Sequence, residues 1–96
     1  MLERSSVIPS LSRALLGEVT PSLRAVQFGL PDRTMDILCI FNGDLSRDDS
    51  GSISRVATDV MADFPDAPVQ EHCLRIDLPG LVPYPPGRYT VFARKV

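Results

Sequence analysis

Hydrophobic positions along the chain change period four times, and the changes mark the elements. Met35, Ile37, Leu38, Cys39, Ile40 and Phe41 form a nearly unbroken apolar run over Thr34 to Phe41, with only Asp36 interrupting it. A short run apolar on both faces reads as a strand central in a sheet. Asn42-Gly43-Asp44 breaks the run. Ile53, Val56, Ala57, Val60, Met61 and Phe64 then recur at i, i+3, i+4, i+7, i+8 and i+11, one side of a 3.6-residue helix. Ser46 is placed as its N-cap, with Asp49 three residues on as a variant capping box. Asp48 and Asp49 fall in the first turn, where the helix dipole favours them, and Pro65 ends the helix. The solvent face predicted for it is Asp48, Ser52, Arg55, Asp59 and Asp63.

The flanking segments read less regularly. Residues 1–8 are expected to be an extended lead-in. Pro9-Ser10 then opens a two-turn helix whose Leu11, Leu15 and Leu16 face the sheet and which Gly17 and Thr20-Pro21 end. A start near Ser5 would place Pro9 within the first turns. Leu23 to Leu30 reads as a strand with Val26, Phe28 and Leu30 on one face and Leu23, Ala25 and Gln27 on the other. Pro31-Asp32-Arg33 turns it into a hairpin with the next strand. Val69 to Leu78 is a further strand, with His72, Leu74, Ile76 and Leu78 pointing one way and Cys73, Arg75 and Asp77 the other. Residues Pro79 to Gly87 hold four prolines and two glycines, which excludes helix and central strand. Arg88 to Val96 is the last strand.

The predicted order is α-β-β-α-β-β over 1–96, a single α+β domain. The expected fold is two helices on a four-stranded, mainly antiparallel sheet. The helix between the second and third strands also allows those two to be parallel neighbours. Strand order and oligomeric state are left open by the pattern.

Composition narrows the class. At 96 residues, with 44% hydrophobic and 23% charged residues, the chain has the make-up of a small globular domain. No apolar run approaches the roughly 18 residues a membrane span needs, and no basic leader precedes an apolar block, so a cytoplasmic protein without membrane contact is expected. Cys39 and Cys73 are expected as two buried thiols rather than a disulfide. One histidine without a Cys-x-x-Cys pair cannot make a zinc shell, and no cofactor motif is present.

The net charge of −2 conceals an asymmetry. Seven acids, Asp44, Asp48, Asp49, Asp59, Asp63, Asp66 and Glu71, stand against Arg47 and Arg55 in one segment, a balance of −5, while the rest of the chain is at +3. An acidic segment argues against direct nucleic-acid binding and suits a basic protein partner. Asp59, Asp63 and Asp66 lie in or beyond the last helical turns, where negative charge opposes the carbonyl end. Arg55 is expected to offset part of this through its i,i+4 relation to Asp59. These acids either form a solvated face or dock on a basic surface. Tyr84 in the proline loop either folds over the core with Leu81 and Val82 or serves as an amphipathic anchor. Catalysis has little support. His72 sits on a strand without a nucleophile motif, no serine lies in an elbow pattern, and no glycine-rich phosphate loop exists.

Two stretches, residues 13–26 (Arg13-Ala14-Leu15-Leu16-Gly17-Glu18-Val19-Thr20-Pro21-Ser22-Leu23-Arg24-Ala25-Val26) and 53–65 (Ile53-Ser54-Arg55-Val56-Ala57-Thr58-Asp59-Val60-Met61-Ala62-Asp63-Phe64-Pro65), flank Phe41-Asn42-Gly43-Asp44-Leu45-Ser46. Together they resemble small bacterial immunity proteins of contact-dependent growth inhibition systems, over residues 13–65. The resemblance implies a non-enzymatic inhibitor whose partner is the C-terminal domain of a cognate toxin, often a nuclease with a basic cleft. It transfers no binding residue. The charge argument nominates Asp59, Asp63, Asp66 and Glu71, and the loop argument nominates Tyr84. The competing expectation is a non-catalytic structural or adaptor module, homodimeric through an exposed strand edge.

Overall fold

The computed structural model describes residues 2–94. Its elements are α1 (Arg4–Ala14), β1 (Leu23–Gly29), a 3-10 turn (Pro31–Arg33), β2 (Met35–Phe41), α2 (Arg47–Asp63), β3 (Val69–Arg75) and β4 (Tyr89–Ala93). The four strands form one sheet in the order β3-β2-β1-β4. β1 pairs antiparallel with β2 and β4, whereas β2 and β3 are parallel. The sheet is therefore mixed, not mainly antiparallel. The reason is α2, which carries the chain back along the sheet between β2 and β3, so the strands on either side of it run the same way.

α1 starts five residues earlier than the proline suggested. Ser6 Oγ accepts the Glu3 N–H at 3.1 Å and donates to the Glu3 carbonyl at 2.8 Å, closing the first turn before Pro9 is reached. Pro9 lies inside the helix, where its missing N–H removes one ladder bond. Residues 4–8 are thus helix rather than lead-in, and Val7 joins Leu11, Ala14 and Leu15 in the core. Leu16, expected against the sheet, is 78% exposed. Gly17 follows at φ +79°, the left-handed residue that stops the helix.

One extra residue in β1 reverses an expected face. Leu23 pairs with Phe41 but Ala25 pairs with Ile40, so Arg24 bulges out of the ladder. The bulge puts Leu23 on the same face as Val26 and Phe28, where it packs with Met35, Ile37, Cys39 and Phe41 of β2 and with Ile53, Val56 and Val60 of α2. Strict alternation had grouped Leu23 with Ala25 and Gln27. The bulged Arg24 is buried, and its Nη1 donates to the Ile76 carbonyl at 2.7 Å.

Ala25, Gln27 and Ile40 are fully buried although they face away from the helices. With β3 and β4 at opposite edges, residues 76–88 must cross β2 and β1, and this proline-rich segment covers that second face. Gln27 Nε2 donates to the Pro83 carbonyl at 2.8 Å, Asn42 Oδ1 accepts the Leu78 N–H at 2.8 Å, and Asp77 Oδ1 accepts the Gly43 N–H at 2.7 Å. Gly80 is required there, since a Cβ would lie 2.7 Å from the Asp77 carbonyl oxygen.

In α2 the cap is as expected. Ser46 Oγ accepts the Asp49 N–H and Asp49 Oδ2 accepts the Ser46 N–H, both at 3.0 Å. Two face assignments change. Ser52 is buried, not solvent-facing, and Met61 is 45% exposed, not core. β3 and β4 are both shorter than predicted. β3 stops at Arg75, and β4 spans Tyr89–Ala93, with Lys95 and Val96 outside the described residues.

Candidate partner-binding surface

Structure sorts the acids by what already holds them. The Asp49 carboxylate is 4% exposed and fully employed, accepting from Thr20 Oγ1 at 2.5 Å and from Ser22 Oγ at 2.9 Å besides its capping bond. Burial pushes its carboxyl up, but the bonds from Thr20, Ser46 and Ser22 prevail and hold it below its ordinary value. Asp44 pairs with Arg75. Asp63 accepts from Arg13 Nη2 at 2.5 Å and from Ser10 Oγ at 2.6 Å, which ties the end of α2 to α1. Asp48, Asp59, Asp66 and Glu71 make no ion pair among the described residues.

Arg55 was expected to offset part of the Asp59 charge, but it makes its ion pair elsewhere. Its guanidinium grips Glu18 through two bonds, of 2.8 and 3.0 Å, within the α1–β1 connection. The Arg55 bonds hold the Glu18 carboxyl below its usual range. Asp59 lines the same shallow depression as Arg55 without pairing with it, and faces solvent.

Three of the five nominated residues come together. Asp59 and Asp63 line one shallow depression with Ser10, Arg13 and Ala62 between the helices. Asp63 and Asp66 line the next, with Phe64, Ala67 and Arg33 at the end of α2. The two depressions share Asp63, so the acids form a continuous rim along the C-terminal half of α2. Glu71 lies apart on β3 and lines neither depression. Tyr84 is 66% exposed in the crossing segment, on the sheet face opposite the helices, and cannot share a small contact with the acids.

The long-range pairs at this surface had no signature in the chain. Arg13 and Asp63 are separated by 50 residues and Arg55 and Glu18 by 37, and only helix packing brings them together. Cys39 and Cys73 are register partners on neighbouring strands and both are free thiols. Cys39 is buried as expected, and burial pushes its thiol up to about 12. Cys73 is exposed, contrary to the expectation, because β3 is an edge strand. His72 is half-exposed with its Nε2 3.9 Å from the Asp36 carboxylate, on the face away from the helices. No helix among the described residues is long and apolar enough to cross a membrane.

A sequence model of the MafI2 immunity proteins matches residues 4–96. The chain belongs to the MafI2 immunity protein family. The match extends through β3, the crossing segment and β4, well beyond the residues 13–65 on which the resemblance to immunity proteins rested. It also corrects the system, which is that of the Maf toxins rather than contact-dependent growth inhibition specifically. A search of curated proteins finds no match. Membership in the MafI2 family implies a cognate toxin as partner, and immunity proteins are generally inhibitors that bind rather than catalysts that turn over.

Proposed function

We propose that this MafI2 family member neutralises its toxin by direct binding, with the rim formed by Asp59, Asp63 and Asp66 against a basic surface of the toxin domain. The observation that carries the reading is the charge left over at the end of α2. Asp59 and Asp66 lie there without an ion pair among the described residues, although that end of a helix disfavours negative charge. Docking on a cationic cleft relieves this repulsion and speeds encounter. A nuclease is the toxin class that such a rim suits best, because its substrate-binding cleft must be basic. Asp63 has the separate task of locking α2 to α1 through Arg13, so it contributes field while Asp59 and Asp66 are free to pair. Glu71 and Tyr84 stand outside this contact.

Growth tests the immunity itself. The toxin domain encoded beside this chain is expressed with and without it, and rescue is the expected result. The surface is tested separately, by association kinetics of the purified pair. Asp59→Lys with Asp66→Lys should slow association about tenfold or more at low salt, the difference closing as salt screens the charges. Rescue with an unchanged association rate at low salt would remove the acidic rim from the interface and leave the immunity intact.

A further inference from the structure

β3 is an open edge, and its backbone polarity can be read directly. The Pro68 carbonyl accepts the Met35 N–H and the Ile76 N–H donates to the Phe41 carbonyl, both at 2.9 Å. Even-numbered residues of β3 therefore turn their backbone groups towards β2. Val69, Glu71, Cys73 and Arg75 turn theirs outward, and residues 70–75 are all exposed. Such a row is a template for a further strand.

The side chains on that row select the strand. We infer that β3 pairs antiparallel with β3 of a second copy of this chain, about a two-fold axis through Cys73. Residues opposite each other in an antiparallel pair share a face, so a two-fold normal to the sheet must pass through a residue and not between two. An axis through Glu71 sets the two Glu71 side chains against each other. One through Leu74 sets Glu71 against Asp77, and one through His72 makes no charge pair. Only the axis through Cys73 places Glu71 opposite Arg75 of the second copy, twice over by symmetry. Cys73 then faces Cys73, and Leu74, which is 43% exposed, faces His72 on the other side of the sheet. Charges on a strand edge ordinarily block open-ended pairing; here the spacing of Glu71 and Arg75 makes one closed pairing self-complementary. Arg75 already holds Asp77 through its Nε and Nη2, at 2.9–3.1 Å, and holds Asp44, whose side chain is 94% exposed, through Nη1; Glu71 of the second copy displaces the exposed Asp44 and leaves the bonds to Asp77 in place. Cys73 and its neighbours donate and accept about six new main-chain bonds in this register. The pairing uses the outward edge of β3 and none of the residues Asp59, Asp63 and Asp66.

Sedimentation across a concentration series, together with a short bismaleimide cross-linker, tests the pairing in the full chain. The expected result is a reversible dimer that is cross-linked through Cys73 and not through buried Cys39, with the cross-link lost in Cys73→Ser. Glu71→Arg should weaken the dimer about tenfold or more, and Glu71→Arg with Arg75→Glu should restore it. A monomer at every concentration with no cross-link would overturn the inference, a result that does not depend on any variant folding. A dimer that Glu71→Arg leaves unchanged, or one that does not cross-link at Cys73, would overturn it as well.

Discussion

Replacing Asp49 with alanine should be among the most damaging single changes in α2. One carboxylate closes the capping box with Ser46 and receives the hydroxyls of Thr20 and Ser22, so it fastens the start of α2 to the α1–β1 connection. Loss of an N-terminal capping interaction costs about 1 kcal/mol, and hydrogen bonds to a charged group contribute roughly 1.5–3 kcal/mol. Desolvation of the carboxylate works against these bonds, so the net cost expected for Asp49→Ala is about 3 kcal/mol rather than their full sum. In a domain of total stability near 5–15 kcal/mol this is a large fraction, and it should lower Tm by about 12–24 °C. Urea denaturation followed by circular dichroism measures it, with Asp48→Ala as the control. Asp48 lies in the same first turn, exposed and without an ion pair among the described residues, and should lose only about 0.3–1 kcal/mol from the dipole. The charge also has a pH signature. Because the folded carboxyl is held below its ordinary value, its contribution is complete above the unfolded pKa of about 3.9 and fades as pH falls through the lower folded value. The stability gap between the native chain and Asp49→Asn should therefore narrow as pH falls below the ordinary carboxylate range. Equal losses for Asp49→Ala and Asp48→Ala would refute the tether and leave only a dipole effect.

Other consequences follow from the same structure. Maleimide labelling of the native chain should modify exposed Cys73, whose thiol is also raised by partial burial and by Glu71, and spare Cys39 until the chain is unfolded, since Cys39 is buried with its thiol pushed up to about 12. Gln27→Leu removes the bond to the Pro83 carbonyl and also a side-chain oxygen, Oε1, that has no partner among the described residues, so stability should change by less than about 1 kcal/mol. Limited proteolysis of residues 76–88 should nonetheless become faster. Gly80→Ala should cost about 1–3 kcal/mol through the 2.7 Å approach to the Asp77 carbonyl, seen as a lower urea midpoint. His72→Gln should leave folding and toxin neutralisation unchanged in the growth assay, because His72 lies on the sheet face away from the helices and the acidic rim.

Local pattern determined the elements of this protein. The apolar run of Met35–Phe41, the helical spacing from Ile53 to Val60, the Ser46–Asp49 box and the turn at Pro31–Arg33 are each encoded within a few residues, where period and cap chemistry act. Pairing depends on distant segments. The parallel joining of β2 and β3, the bulge at Arg24 that carries Leu23 into the core and the crossing of residues 76–88 over Gln27 arise from how strands satisfy one another's backbone groups. The acidic segment was legible as charge, but its meaning was not. Packing of α1 on α2 spends Asp63 on Arg13, the α1–β1 connection takes Arg55 for Glu18, and Asp48, Asp59, Asp66 and Glu71 stay exposed without ion pairs among the described residues, of which Asp59 and Asp66 lie at the end of α2. A count along the chain cannot separate these roles, because ion pairing is decided by distances of a few ångströms between residues that lie tens of positions apart.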